Sequence, residues 1–211
     1  MNSKVDNAVK TVGCEKHREI ERKISSEAIT VFRNSDKKLP FNKLNSEKIL
    51  FITPYQNEIS SSKFAINRLI KERKTSPNIS TDYYCFNKQY AINNELKSKI
   101  NKADYIIMFT EKYNVSLINW TIDFPRNVIK YVHEIGRPES LTVVNIGQPY
   151  DIINFKNANH VLLAYGCVGA DPTDADNGII TKKFGPNIPA AIEACLGLTS
   201  PNGILPIELP Q

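Results

Sequence analysis

Residues 47–54 (EKILFITP) form a short and almost wholly apolar run. A run of this length and composition is typical of a β-strand that is buried on both faces, as the strands of a parallel sheet are. The same pattern predicts further strands at residues 81–86 (TDYYCF), 103–110 (ADYIIMFT), 141–147 (LTVVNIG) and 160–165 (HVLLAY). Together these runs predict that a mostly parallel sheet forms the centre of the domain.

Amphipathic helical patterns separate the predicted strands. In the clearest of them, Phe124, Val128 and Val132 recur at a spacing of four, and a glycine and a proline end the helix. Further helices are predicted within residues 17–32, 64–70, 92–100 and 188–196. Because buried strands alternate with amphipathic helices, the sequence predicts an α/β fold: a mostly parallel sheet of about six strands with helices on both faces, in a three-layer sandwich.

Local signals predict the ends of three elements. The first helix is expected to run from His17 through Phe32, because apolar residues recur at every fourth position. Ser60–Ser62 are expected to cap the second helix, since serine is a favoured residue at helix N-termini. Residues 204–209 are expected to form the last strand, at a sheet edge, because Pro206 has no N–H to donate to a neighbour.

The composition is that of an ordinary folded domain. The chain has 211 residues, 41% hydrophobic and 23% charged, and we expect residues 1–13 to be a flexible lead-in and residues 14–211 to form the α/β domain. The net charge is +5, but the lysines are scattered and not interleaved with aromatic residues. We therefore interpret the basic surface as a solvated face and predict no nucleic-acid partner. No apolar run reaches the roughly 18 residues of a membrane span.

Polar side chains that follow predicted strands are the candidate site residues, because open α/β sheets bind ligands at the carboxyl ends of their strands. These cleft-facing candidates are Gln56, Glu111, Gln148 and Asp171. Glu111 is placed like a general acid, and a solvated or helix-capping glutamate is the simpler alternative. Neither glycine-rich phosphate-binding motif is present, so no cofactor is predicted.

No metal site is predicted either. Asp171, Asp174 and Asp176 suggest calcium, but their spacing does not match an EF-hand loop and a solvated loop is favoured. The three histidines lack metal-ligand spacing and are interpreted as structural. The four cysteines show no C-x-x-C spacing, and the sequence leaves their redox state open.

Five phrases, taken in order, resemble the C-terminal domain of glycoside hydrolase family 3. They are residues 28–34 (AITVFRN), 39–41 (LPF), 143–152 (VVNIGQPYDI), 190–197 (AAIEACLG) and 200–210 (SPNGILPIELP). The resemblance extends over about residues 10–211, and the entry phrase at residues 12–18 (VGCEKHR) is similar to that of two-domain bacterial hexosaminidases.

The resemblance implies an accessory domain with no catalytic residue of its own. In that family an N-terminal (β/α)8 barrel carries the aspartate nucleophile and binds the sugar, so the implied partners are the barrel and, through it, a carbohydrate. The glucosidase type takes its acid/base glutamate from a loop of this domain, a few residues past the third strand, and Glu111 sits too close to the strand to match that position. Here that loop, residues 112–120 (KYNVSLINW), contains no glutamate. This favours the β-N-acetylhexosaminidase type, in which a His/Asp pair on a barrel loop is the acid/base.

Two alternatives stay open. The chain could be an independent α/β module that binds a sugar or another small ligand without catalysis, or a glucosidase-type half site with Glu111 as the acid/base. An accessory domain predicts an exposed apolar patch where it docks on its partner. The sequence leaves open the sugar that the parent enzyme cleaves and the compartment in which it works.

Overall fold

The computed structural model describes residues 14–41, 44–111, 120–166, 186–205, 207 and 208. The helices are α1 (Glu15–Ala28), α2 (Gln56–Lys71), α3 (Asn94–Lys102), α4 (Trp120–Glu134) and α5 (Asn187–Cys195), with 3₁₀ helices at Pro138–Ser140 and Pro149–Phe155. The strands are β1 (Thr30–Asn34), β2 (Lys48–Thr53), β3 (Ser80–Cys85), β4 (Tyr105–Thr110), β5 (Leu141–Asn145) and β6 (His160–Leu163).

All the described strands belong to one six-stranded sheet in the order β1-β6-β5-β4-β2-β3. Strands β2 to β6 run parallel to one another, and β1 pairs antiparallel with β6 at one edge. This confirms the predicted mostly parallel α/β sheet. Among the described residues, no helix has both the length and the apolar character to cross a membrane.

The two faces of the sheet carry separate hydrophobic cores. In β2, Ile49 and Phe51 point into one core, while Leu50 and Ile52 point into the other. The first core is closed by α2 and α5, with α1 packed against α5, and the second by α3 and α4. Because successive strand residues alternate between faces, burial on both sides requires the continuous apolar runs seen in the sequence.

The prediction that the first helix continues to Phe32 is wrong. Helix α1 ends at Ala28, Ile29 is extended (φ −54°, ψ 126°), and Thr30–Asn34 form β1. The spacing of four does not mark a buried stripe, because Ile20 and Ile24 are 48% and 62% exposed. The β-branched and aromatic residues at the start of β1 favour an extended backbone, and pairing with β6 stabilises it.

The prediction of a last strand at residues 204–209 is also wrong for the residues described. Ile204, Leu205, Ile207 and Glu208 lie outside the sheet, and Ile204 is 87% exposed. Just before them, the backbone N–H of Gly203 donates to the carbonyl of Ile29 at 3.0 Å. A Cβ at position 203 would lie 2.1 Å from the Ala28 carbonyl oxygen, so the glycine allows this close approach. The sixth strand is therefore β1.

The serine cap predicted for the second helix is a further correction. Helix α2 begins at Gln56, so Ser60–Ser62 lie inside it. Ser62 Oγ donates to the carbonyl of Glu58 at 2.8 Å, the usual bond of a serine within a helix. The capping contact at the N-terminus comes from Glu58 instead, whose Oε2 accepts from the backbone N–H of Tyr55 at 3.4 Å.

Candidate functional site

The carboxyl ends of the parallel strands come together at one edge of the sheet. Strands β6, β5, β4 and β2 are consecutive neighbours and run in the same direction, so their exits lie side by side. The exits of β2, β4 and β5 bring Tyr55, Glu111 and Gln148 to this edge. We call it the carboxyl edge, and it is the position at which open α/β sheets bind ligands.

Two glutamates are buried together at the carboxyl edge. Glu58 lies in the first turn of α2, just after β2, and is 3% exposed. Glu111 follows β4 directly and is 5% exposed. The strands that carry them to this edge, β2 and β4, are adjacent, and Glu111 contributes to the raised pKa of Glu58. The pair is the strongest concentration of buried charge-forming groups at this edge within the described part of the chain.

Burial raises the pKa of Glu58 well above its usual range, and the hydrogen bond and charge of Glu111 raise it further. The Tyr55 N–H works in the opposite direction, because it stabilises the carboxylate. The pKa of Tyr55 is raised as well, first by burial and then by the charges of Glu111 and Glu58. This edge therefore favours the neutral form of Glu58 and keeps the Tyr55 hydroxyl protonated.

An asparagine network shapes the exit of β5. Asn145 is fully buried, and its Oδ1 accepts from Thr110 Oγ1 at 3.4 Å and from the Gly147 N–H at 3.3 Å. Its Nδ2 donates to the carbonyl of Gln148 at 2.7 Å. One buried amide thus ties the loop after β5 to the end of β4, which fixes the backbone that carries Gln148.

Aromatic rings close the carboxyl edge beside the glutamate pair. The Trp120 ring meets the rings of Tyr55 and Phe86 edge to face, with centroids 5.9 Å and 5.7 Å away. Phe86 in turn stacks on Phe124 at 4.4 Å. Trp120 is only 6% exposed, so these rings exclude water from one side of the edge.

The structure places the four predicted site residues differently. Gln56 is exposed at the first position of α2, Gln148 is exposed just before the second 3₁₀ helix, and Glu111 is buried. Asp171 lies outside the described residues. Sequence reasoning missed Glu58, although a carboxylate in the first turn of a helix that follows a buried strand is a signal that could have found it.

No group of three or more potential metal ligands occurs within the described residues. Cys14, Cys85 and Cys195 are free thiols. Two histidines make contacts far from the glutamate pair: His160 with Asp36, and His133 with the carbonyl of Asn157 at 2.8 Å. The carboxyl, phenol and amide groups described at the carboxyl edge can exchange protons and form hydrogen bonds.

No protein-family model and no curated protein matches this sequence. Solved structures do match the fold. One is a fungal multi-domain glycoside hydrolase family 3 β-N-acetylglucosaminidase that has a GCN5-related glucosamine N-acetyltransferase region; it is 22% identical, with a TM-score of 0.65 over 95% of this chain and 20% of its own. Another is a β-glucoside phosphorylase, 15% identical, with a TM-score of 0.63 over 96% of this chain and 33% of its own.

A third is a glycoside hydrolase family 3 β-N-acetylglucosaminidase from Paenibacillus, 14% identical, with a TM-score of 0.60 over 94% of this chain and 34% of its own. The chain thus spans about a fifth to a third of the length of these structures. At such identities the likeness shows the fold alone. Nearly the whole chain has a fold that recurs as one part of larger carbohydrate-active enzymes, two of them described as members of glycoside hydrolase family 3.

Proposed function

We propose that this chain is the accessory domain of a larger family 3 glycoside hydrolase of the β-N-acetylhexosaminidase type. The observation that carries the proposal is the fold, which matches part of two family 3 β-N-acetylglucosaminidases over 94–95% of this chain. In this role the domain packs on a (β/α)8 barrel, stabilises it and borders its substrate cleft. Retaining hydrolysis needs two catalytic groups about 5 Å apart, and in the hexosaminidase type the barrel supplies them.

The residues after β4 support the choice of type. Residues 112–120 contain no glutamate, whereas an acid/base glutamate would be needed there in the glucosidase type. Glu111 follows β4 directly and is buried at the same edge as Glu58. A carboxyl group held in this way is poorly exposed to a sugar on the other side of a cleft.

An exposed apolar surface supports docking on another part of the enzyme. We call Ile20, Ile24 and Ile204 the α1 patch. Ile20 and Ile24 lie one turn apart on α1, and the bond from Gly203 to Ile29 brings Ile204 next to the end of that helix. These large aliphatic side chains are 48%, 62% and 87% exposed, and exposed apolar patches mark interaction surfaces.

The first test is catalytic. The chain alone is incubated with an aryl β-N-acetylglucosaminide, beside a two-domain β-N-acetylglucosaminidase as the positive control. We expect no release of the aryl group above buffer, because the chain lacks the nucleophile-bearing barrel. The proposal would be overturned if the chain alone released the aryl group and a single carboxylate substitution in this chain abolished that release. Saturable sugar binding by the chain alone would favour an independent binding module instead.

The second test is association. A separately produced (β/α)8 barrel of the same enzyme type is titrated with the chain, and the affinity is measured by calorimetry. Replacing Ile24 and Ile204 with Asp should weaken binding by about 10-fold or more, because charges would be buried in the interface. Ile153→Asp is the matched control, since Ile153 is 38% exposed but lies on the 3₁₀ helix after β5. Equal losses in both variants would exclude the α1 patch as the docking face.

The buried pair supports one second candidate, a glucosidase-type half site with Glu111 as the acid/base. Glu111 shares the carboxyl edge with Glu58, and a carboxyl pair that retains a proton is the usual source of a general acid. In the presence of the barrel, Glu111→Gln should then lower the rate by about 100-fold or more. An unchanged rate would eliminate this candidate and leave the accessory role.

A further inference from the structure

Strand β3 is the last strand in the sheet order, so one of its sides faces away from β2. We call this side the outer edge of β3. The backbone N–H groups of Ser80 and Phe86 donate toward β2, at 3.0 Å and 2.9 Å. Because the hydrogen-bonding direction alternates along a strand, the backbone groups of Thr81, Tyr83 and Cys85 point to the outer edge. Among the described residues, no strand pairs with this edge.

An open sheet edge pairs readily with another chain unless something blocks it. Strand β1, at the opposite side of the sheet, is interrupted by a register shift between Val31 and Arg33, which spoils a regular ladder. Strand β3 has no such shift, since its register with β2 is continuous from Ser80 to Cys85. Its sequence (STDYYC) contains neither proline nor lysine, and its tyrosines and threonine favour a strand. The protection of β3 must therefore come from side-chain contacts.

Asp82 closes the middle of the outer edge. Its Oδ1 accepts from the backbone N–H of Tyr83 at 2.8 Å. Two ammonium groups hold this carboxylate: Lys99 Nζ of α3 donates to the same oxygen at 2.6 Å, and Lys48 Nζ lies 3.5 Å from Oδ2. The side chain of Asp82 is only 26% exposed. The N–H that an incoming strand would use at Tyr83 is thus already bonded to a fixed acceptor.

Gln89 closes the end of the outer edge. Its Nε2 donates to the backbone carbonyl of Cys85 at 3.3 Å. Its Oε1 accepts from the hydroxyl of Tyr84 at 2.6 Å, which fixes the orientation of the amide. Tyr84 is 6% exposed, so the amide is anchored to a buried side chain. A second outward-facing backbone group of β3 is therefore already bonded within the chain.

We propose that Asp82 and Gln89 block the outer edge of β3 and thereby keep it from pairing with a second copy of this chain. Two copies of the same edge meet about a twofold axis, which makes the two strands antiparallel. A ladder along the whole edge needs the Tyr83 N–H and the Cys85 carbonyl, and both are occupied. This block goes beyond the accessory role and does not depend on it.

The experiment compares three chains at neutral pH. The double variant Asp82→Ala/Gln89→Ala removes both blocking side chains. Asp82→Asn is the matched control, because its amide oxygen can still accept from the Tyr83 N–H while the charge that pairs with Lys99 and Lys48 is lost. The molar mass of each chain is measured by sedimentation equilibrium over a range of concentrations, and circular dichroism checks that each chain is folded.

The mass of the double variant should rise with concentration to about twice that of the wild type at the same concentration, and fall again on dilution. Asp82→Asn should follow the wild type. A folded double variant with the mass of the wild type would overturn the proposal. Association of Asp82→Asn as strong as that of the double variant would also reject it, because the ion pairs would then be what opposes pairing.

If the double variant fails to fold, the wild type still decides by amide hydrogen exchange, measured by NMR. The outward-facing N–H of Tyr83 should exchange about 10-fold or more slowly than that of Thr81, for which no side-chain acceptor is described. Equal exchange rates would show that Asp82 does not hold the Tyr83 N–H and would reject the block. Because these tests need neither barrel nor sugar, their failure is distinct from failure of the accessory-domain proposal.

Discussion

The ring nitrogen Nε2 of His160 lies 2.5 Å from Oδ1 of Asp36, so a fully buried histidine at the start of β6 is bonded to the loop after β1. The bond joins the loop that follows the antiparallel strand β1 to the parallel strand β6. It lies at the end of the strands opposite the carboxyl edge. Asp36 is the accessible partner, and asparagine in its place keeps an acceptor oxygen for the buried imidazole but removes the negative charge, which weakens the bond.

Asp36→Asn should therefore destabilise the fold by about 1 kcal/mol at neutral pH, the difference between a hydrogen bond to a charged group and one between neutral groups. Burial raises the pKa of Asp36, but the hydrogen bond from His160, the Lys38 N–H and the charges of both residues outweigh it, so the net pKa is lowered. A lowered pKa gives stability that is present above the unfolded value, about 3.9, and is lost as the pH falls through the folded value.

The measurement is urea unfolding of Asp36→Asn and the wild type at neutral pH and near pH 3. The difference in unfolding free energy between the two chains should be smaller near pH 3 than at neutral pH. Asp123→Asn is the control, because the ion pair of Asp123 with Arg126 is 3.8 Å long and largely solvated. The role given to the His160 contact would be contradicted if Asp36→Asn lowered the free energy of unfolding no more than Asp123→Asn does.

Phe124→Ala should cost about 3–5 kcal/mol of unfolding free energy. Its ring is fully buried and stacks on Phe86 with centroids 4.4 Å apart, so truncation leaves a cavity on the α3 and α4 face of the sheet. The control is Phe32→Ala on β1, where the ring is 36% exposed and truncation should cost about 1 kcal/mol or less. Chemical denaturation of both variants measures the difference, and similar losses would contradict this assignment of the core.

Arg137→Met should destabilise the fold by about 1.5–3 kcal/mol. The Arg137 guanidinium donates to the carbonyls of Ile100 at 3.3 Å and Ala103 at 2.5 Å, which belong to the C-terminal end of α3. The Ile100 carbonyl also accepts from the Ala103 N–H at 3.3 Å, so Arg137 adds a second bond at the end of this helix. Methionine keeps the aliphatic stem of Arg137 while removing every donor. Lys102→Met, an exposed change on the same helix, should leave the thermal midpoint nearly unchanged. If the thermal midpoint of Arg137→Met were also unchanged, the contacts of Arg137 with the C-terminal end of α3 would contribute nothing to stability.

Cys195 should resist alkylation in the native chain. It is completely buried in α5, and burial raises the pKa of its thiol to about 12, so almost no thiolate is present at neutral pH. Cys14 and Cys85 are half-buried and should react first with iodoacetamide. Peptide mass spectrometry over time, with and without urea, gives the order of labelling. Modification of native Cys195 as fast as Cys14 would mean that α5 opens readily.

The carboxyl edge shows where sequence reasoning about a site succeeds and where it stops. Glu111, Gln56 and Gln148 follow strands β4, β2 and β5, whose exits lie side by side, and that they face a substrate cleft stays a prediction. The partner of Glu111 was missed. Glu58 precedes it by more than fifty residues, and only the adjacency of β2 and β4 brings the two glutamates to the same edge.

The sequence by itself determined the α/β class and the parallel core, because a strand buried on both faces must be apolar at every position, as Ile49–Ile52 are. Tertiary structure alone decided the edge strand. Residues 30–34 carry a pattern that suits a helix or a strand, and their conformation is selected by the hydrogen-bonding groups that β6 leaves open at the sheet edge. Tertiary structure also raises the pKa of Glu58, since a pKa depends on burial and on neighbours that are distant along the chain.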